Sequence, residues 1–221
     1  MRGFLNAHNN FLIRQGVFER VILQVRNCCR EMKSACQKND GHYLHNDEDK
    51  ITNRLCEYHL QYSDLCGLTF TIQKPVTFDA ETDSYIGRAD IHVKSWDRFN
   101  NADEYYLIEC KRIDGTARLN SLYVSEGVSR FVVHPPKYPS YHKRNIMLGY
   151  IVKAITVGDN SKKIADMQSP TLTGVESSQF TLVTSDEEFH RYSCSYQSEY
   201  IGQIELAHLF FDFSSVIRQA K

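Results

Sequence analysis

Two short stretches of this chain carry residues whose types and spacing could do chemistry together. "GRADI" (87–91) contributes Asp90, and "IECKR" (108–112) contributes Glu109 and Lys111, with only Cys110 between them. Alternate residues of an extended strand share a face, so Glu109 and Lys111 project the same way. The run "YYLIEC" is too apolar for a freely exposed strand, and a partly buried acid needs a partner. If the two stretches pair, Asp90 lies close to Glu109, and two carboxylates and an ammonium converge at one end of a sheet. That trio suits metal-assisted attack on a phosphodiester. Mg²⁺ is a hard cation that uses one or two carboxylates plus phosphate oxygens and keeps several waters. It activates a bound water and stabilises charge on the phosphate, while a neighbouring lysine orients or deprotonates the attacking water. A metal would depress the lysine pKa and the carboxylates would raise it, so base and electrostatic aid are both open roles for Lys111. The non-catalytic reading of the same trio is a cross-strand ion-pair network on a solvated face.

The elements that must position these residues can be read from periodicity. From Phe11 to Cys36, apolar residues such as Phe18, Val21, Ile22, Val25, Cys29 and Met32 recur at three- and four-residue steps, which predicts a first long helix over 11–36. "QKNDGHYLHND" breaks it, and Ile51, Leu55, Tyr58, Tyr62 and Leu65 restore the helical step up to Gly67, with Asn46 or Asp47 as N-cap. "LTFTIQKPVTF", the turn cluster "DAETDS" and "YIGRADIHVKSW" read as a hairpin. The polar loop "DRFNNAD" leads to a third strand through Tyr105 to Ile113, completing an antiparallel meander. Residues 117–132 and 145–157 read as helices, joined by the proline-rich "HPPKYPSYHKR". The C-terminal third offers strands at "FTLVTS" and "IELAHLFFDF" around a polar turn near Asp186 to His190, then a short helix after Ser214. The expected fold is therefore α/β, a mixed β-sheet with a three-strand antiparallel meander flanked by helices.

A length of 221 residues suits one domain with a substantial core, expected over 1–221 with its centre at 46–157, the helix 11–36 and the strands within 178–213 being additions. No apolar run approaches the roughly 20 residues that span a bilayer, and "MRGFLNAHNNFLIRQG" lacks the unbroken apolar centre of a signal peptide. Seven cysteines without repeating spacing suit reduced thiols, so the expected compartment is the cytoplasm. The net charge of −1 hides an uneven layout: residues 130–163 hold seven Lys/Arg against one acid, whereas 41–129 hold nine against fifteen. Such a layout could bring a polyanion to a cation-binding acidic site, or simply describe solvated faces.

"GRADI", the interval of 19 positions from Asp90 to Glu109, and "ECK" as E-x-K together resemble the PD-(D/E)XK nuclease superfamily, the restriction-endonuclease-like fold. Ala89 stands where the motif name has proline. The resemblance covers roughly residues 46–157, and "LYVSEGVSRFV", "IMLGYIVK" and "IELAHLFFDF" look like parts of bacterial nuclease-like proteins, some linked to restriction or phage defence. It implies a core of helix, three-strand meander, helix and further strand. It also implies that Asp90 and Glu109 bind Mg²⁺, with Mn²⁺ able to substitute, and that Lys111 assists hydrolysis. Many members add a metal-binding acid from the preceding helix; Glu48 is the first choice for that catalytic and metal-binding role and Glu57 the second. The implied activity is metal-dependent endonucleolytic hydrolysis of DNA, with a homodimer as one way to reach both strands. The alternative is a catalytically inactive nucleic-acid-binding or assembly protein that keeps the fold.

Around this motif, Lys137, Lys143 and Arg144 are interleaved with His134, Tyr138, Tyr141 and His142, a mixture that suits nucleic-acid contact as well as it suits a solvated loop. Arg88 and Arg112 read as surface arginines, and Tyr123 and Glu126 as packing residues. Zinc at Cys28, Cys36, His42 and His45, and a nucleophile at Cys194 with His190 or His208, find little support in the spacing.

Overall fold

The computed structural model describes residues 7–38, 43–61, 67–95 and 104–218. Helix α1 (Ala7–Lys38) is followed by α2 (Glu48–Leu55), which runs into a π-turn at Cys56–Leu60. Asp47 is the N-cap of α2: its carboxylate accepts from the Lys50 amide at 3.0 Å, one of the orphan donors of a helix start. Strands β1 (Leu68–Asp79), β2 (Ser84–Ser95) and β3 (Tyr106–Ile113) form the expected antiparallel meander. After it come α3 (Ala117–Tyr123), a π-turn at Val124–Val128, α4 (Ser129–Val132), β4 (Arg144–Ile151) and α5 (Val157–Thr171). The chain closes with β5 (Glu176–Ser177), β6 (Thr181–Ser185), β7 (Phe189–Ser198), β8 (Gly202–Asp212) and a 3₁₀ turn at Ser214–Val216.

The strands make one mixed, open sheet in the order β1-β2-β3-β4-β8-β7-β5, with β6 also on β7. β3, β4 and β8 are mutually parallel at its centre, and antiparallel pairs lie on both sides. Helices cover both faces. On one face Val21, Val25 and Met32 of α1 and Ile51 and Leu55 of α2 meet Ile108, Cys110, Leu148 and Tyr150. On the other, Tyr123, Val124, Val128 and Phe131 from the α3–α4 segment and Ile164 of α5 meet Leu107, Ile113, Met147 and Phe210. The molecule is thus an α/β fold in three layers.

One expected element is corrected. Residues 145–157 are not a helix; 144–151 are strand β4, lying between β3 and β8. Every residue from Asn145 to Ile151 is buried. A parallel central strand covered on both faces reads as a continuous apolar run, so period alone could not distinguish it from a buried helix. The helix lies further on, at α5, whose mostly polar face had no apolar stripe to announce it. The polar turn at Asp186 ends sooner than expected, since β7 begins at Phe189. The helical positions Tyr62 and Leu65 and the loop 97–103 fall outside the described residues. Among the described residues no helix is long and apolar enough to cross a membrane. Cys28, Cys29, Cys36, Cys56, Cys110 and Cys194 are free thiols in buried positions, and Cys66 lies outside the described residues.

Candidate active site

The meander builds the site by coming apart. β1 and β2 pair over ten positions, but β2 and β3 pair over only three, Ile91–Ile108, His92–Leu107 and Val93–Tyr106. The next position in that register would set Asp90 opposite Glu109. Instead the Asp90 side chain replaces the backbone ladder, its Oδ2 accepting from the Cys110 amide at 2.7 Å. The strands diverge there and leave a hollow of about 280 Å³ lined by Glu48, Asp90, Lys111, Arg130, Lys137 and Tyr138, among others.

Glu109 and Lys111 share a face, as period two requires, and both are buried, at 0% and 7% exposure. Lys111 Nζ donates to Glu109 Oε1 and Glu48 Oε1 at 2.8 Å each and to the Cys110 carbonyl at 2.9 Å. Glu48, in the first turn of α2, reaches over the end of β3, and its Oε2 accepts from the Arg112 amide at 3.0 Å. The Arg112 guanidinium holds the backbone and side-chain oxygens of Asn46, which fixes the entry to α2. Glu109 Oε1 also lies 2.9 Å from Arg130 Nη1, and Oε2 accepts from the Tyr138 hydroxyl at 2.7 Å. That hydroxyl accepts from Arg130 Nη1 at 2.7 Å and lies 2.7 Å from the Arg88 carbonyl.

Two glycines allow this close fit. A Cβ at Gly87 would come 2.7 Å from the Lys137 carbonyl and 3.0 Å from the Tyr138 ring, so the loop carrying Tyr138 can lie against β2 only there. A Cβ at Gly127 would meet the Met147 methyl at 2.5 Å and Lys111 Cγ at 3.4 Å. Gly127 sits in the π-turn, a helical irregularity that often marks functional sites, and the Lys111 stem passes beside it.

Electrostatically Lys111 bonds to Glu48 and Glu109 and Arg130 bonds to Glu109, while Asp90 is held by a backbone amide. Burial pushes the Asp90 carboxyl up. Burial first, and then the charge of Asp90, push Glu109 up to about 7, against the pull of Lys111 and Arg130. Burial works against a charged Lys111, but Glu109, Glu48 and Asp90 outweigh it and hold the amine protonated above its ordinary range. An ammonium of this kind is a hydrogen-bond donor and electrostatic aid before it is a base.

The donors fit a hard divalent cation in kind, all of them carboxylate oxygens. Among the described residues no group of three His, Cys, Asp or Glu side chains is gathered to hold a metal. Asp90 and Glu109 are a two-carboxylate set, the number Mg²⁺ commonly takes from a protein. Among the described residues Asp90 Oδ1 has no hydrogen-bond donor, while both oxygens of Glu109 and of Glu48 are engaged.

Asp90, Glu109, Lys111 and Glu48 therefore stand together. Glu57 does not join them; it is exposed and accepts from Gln61 Nε2 at 3.2 Å. Of the three basic residues expected at nucleic acid, only Lys137 lines the cleft. Lys143 donates to the Ile201 carbonyl at 3.0 Å, and Arg144 pairs with Glu205 at 3.0 Å over the Phe18 ring. Tyr123 is buried with its hydroxyl 2.9 Å from His208 Nδ1, and Glu126 is exposed, 3.8 Å from Arg130. Cys194 is buried against the Ser178 carbonyl, and His42 of the zinc reading lies outside the described residues. Arg130 and the specific role of Tyr138 escaped the sequence reading. No protein-family model, curated protein or solved structure matches the chain.

Proposed function

We propose that this protein is a metal-dependent nuclease of the PD-(D/E)XK kind, hydrolysing phosphodiester bonds in DNA. The observation that carries the reading is the meeting of Glu48, Asp90, Glu109 and Lys111, from α2, β2 and β3, at one open cleft where two strands diverge. The order α2, β1–β2–β3, α3–α4, β4 supports it, being the order the sequence resemblance implies.

Asp90 and Glu109 would hold Mg²⁺ or Mn²⁺, with Glu48 within the same charge cluster. The bound cation would supply polarisation of the phosphate and an activated water. The chain's own groups do the rest. Arg130, 24% exposed at the mouth, orients a non-bridging phosphate oxygen. Lys111, held protonated between carboxylates, balances charge as the water oxygen bonds to phosphorus and one P–O ester bond breaks, the water giving up its proton to solvent and the departing oxygen taking one up. Tyr138 keeps Glu109 in place through its hydroxyl, and the Gly87 contact keeps Tyr138 in place.

One observation favours a second reading, a nucleic-acid-binding or assembly protein without catalysis: both oxygens of Glu109 are satisfied by protein donors. Purified protein with Mg²⁺ or Mn²⁺ incubated with plasmid, linear and single-stranded DNA, and with RNA, separates the two. Cleavage lost in Lys111→Ala and Glu109→Ala supports the nuclease; cleavage that survives both unchanged sinks it.

A further inference from the structure

Tyr138 is also a wall of a second, larger hollow of about 600 Å³, within the range that takes a nucleotide-sized ligand. Its floor is apolar, made in part by Phe131 and Ile204, and its rim carries rings. Tyr200, on the turn between β7 and β8, is 68% exposed, and Tyr141, on the loop before β4, is 42% exposed. His134 stacks on Tyr200 with centroids 4.2 Å apart and planes 18° apart, so the rim is already arranged as a parallel-faced platform. Lys143 stands at the same rim, its Nζ on the Ile201 carbonyl.

Large rings held in water at the mouth of an apolar hollow offer π-faces that a flat heterocycle can cover. We propose that this hollow takes an unpaired nucleobase, and that the substrate strand is single-stranded DNA where it crosses this face. The proposal deepens the nuclease reading and rests on it for the chemistry that follows binding. Three features select this occupant. A paired base presents only its edges, whereas stacking on Tyr141, Tyr200 or His134 needs an open face. Lysines at the rim (Lys143) and at the cleft (Lys137) offer phosphate contacts on either side of the base. Tyr138 is common to both hollows, so a strand whose base enters the larger one runs its backbone towards Glu109 and Arg130.

The test is binding of labelled oligothymidylate to the full chain in EDTA, followed by fluorescence anisotropy, against an abasic strand of equal length and a blunt duplex. Oligothymidylate is expected to bind about tenfold more tightly than the abasic strand, as expected from a stacked base. Tyr200→Ala and Tyr141→Ala, both at exposed positions, should each erase that preference, and Lys111→Ala should retain it. Equal affinity for the base-bearing and abasic strands, or a preference that survives both tyrosine substitutions, overturns the proposal. A preference that is present while Mg²⁺ and Mn²⁺ support no cleavage removes the nuclease reading and leaves the base site standing. Tight binding of the duplex with no gain for unpaired bases assigns the face to backbone contact and also overturns it.

Discussion

Two of this molecule's charge clusters use the same four residue types and are built in opposite ways. One ties α1 to the turn between β6 and β7: Asp186 accepts from Arg26 and, at 2.7 Å, from Arg30, and Lys33 Nζ lies 3.1 Å from Glu188. The other is the cleft between β2 and β3. The clamp sets Arg26, Arg30 and Lys33 against Asp186 and Glu188, whereas in the cleft Lys111 and Arg130 hold Glu48 and Glu109 and leave Asp90 to a backbone amide. Burial alone would raise Asp186, but the amides of Glu188 and Phe189 and the two arginines hold it below its usual range. In the cleft the balance runs the other way, with Asp90 and Glu109 both raised. A carboxylate pulled down by its partners is a fastener. Carboxylates driven up beside one another are poised for a further cation, which is why perturbed groups in a cleft point to function. Both clusters are ion-paired; the open hollow beside Asp90, together with the direction of the shifts, sets the cleft apart.

The largest expected difference between them is in rate. Lys111→Ala and Glu109→Ala should each lower DNA cleavage at least about 100-fold, the usual scale for removing a charge-stabilising group. Asp186→Asn should leave the cleavage rate unchanged, and an equal loss there would erase the contrast.

Stability should show the next difference. Lys111→Ala leaves Glu109 buried without its nearest counter-charge and should cost about 3 kcal/mol in urea unfolding at pH 8. Asp186→Asn, in a pair whose side chains are each 27% exposed, should cost about 1 kcal/mol or less.

The pH dependence should have opposite signs. Glu109 titrates at about 7 in the fold and near 4.5 when unfolded, so between these values the folded chain holds a proton that the unfolded chain has released. Its contribution to stability therefore falls as pH rises through that window, by about 1–3 kcal/mol. Asp186, with its pKa lowered, contributes stability that is present above pH 3.8 and lost as pH falls below it. Unfolding curves for wild type, Glu109→Gln and Asp186→Asn from pH 2 to 8 should show the first slope flattened in one variant and the acid-side slope flattened in the other.

The smallest effect belongs to the frame of the cleft. Gly87→Ala would force the loop of Tyr138 away from β2 and should slow cleavage about tenfold, since small misplacements of positioned groups cost rate. A rate equal to wild type would mean that Tyr138 is not what keeps Glu109 aligned.

Much of the cleft was legible in the sequence because it depends on short-range rules. Period two puts Glu109 and Lys111 on one face, a turn cluster joins β1 to β2, and an Asp47 cap fixes where Glu48 begins its helix. Arg130 was illegible because its approach to Glu109 depends on a π-turn, which no periodicity announces. Tyr138 was visible only as one ring in a basic loop; its burial at 1% follows from a glycine fifty-one residues earlier that lets the loop close on β2. β4 was misread as a helix because helices on both faces remove the alternation that marks a half-covered strand. α5 was missed for the converse reason, since Ile164 is its one buried aliphatic residue.

The most direct test of the contrast is calorimetric titration of Mn²⁺ into wild type, Asp90→Asn, Glu109→Gln and Asp186→Asn at pH 8. The expected result is binding in wild type and Asp186→Asn that falls at least about tenfold in Asp90→Asn and Glu109→Gln, since each of the latter loses an anionic oxygen donor. Wild-type protein that takes up no Mn²⁺, or uptake unchanged in Asp90→Asn and Glu109→Gln, would contradict a metal-dependent site between β2 and β3.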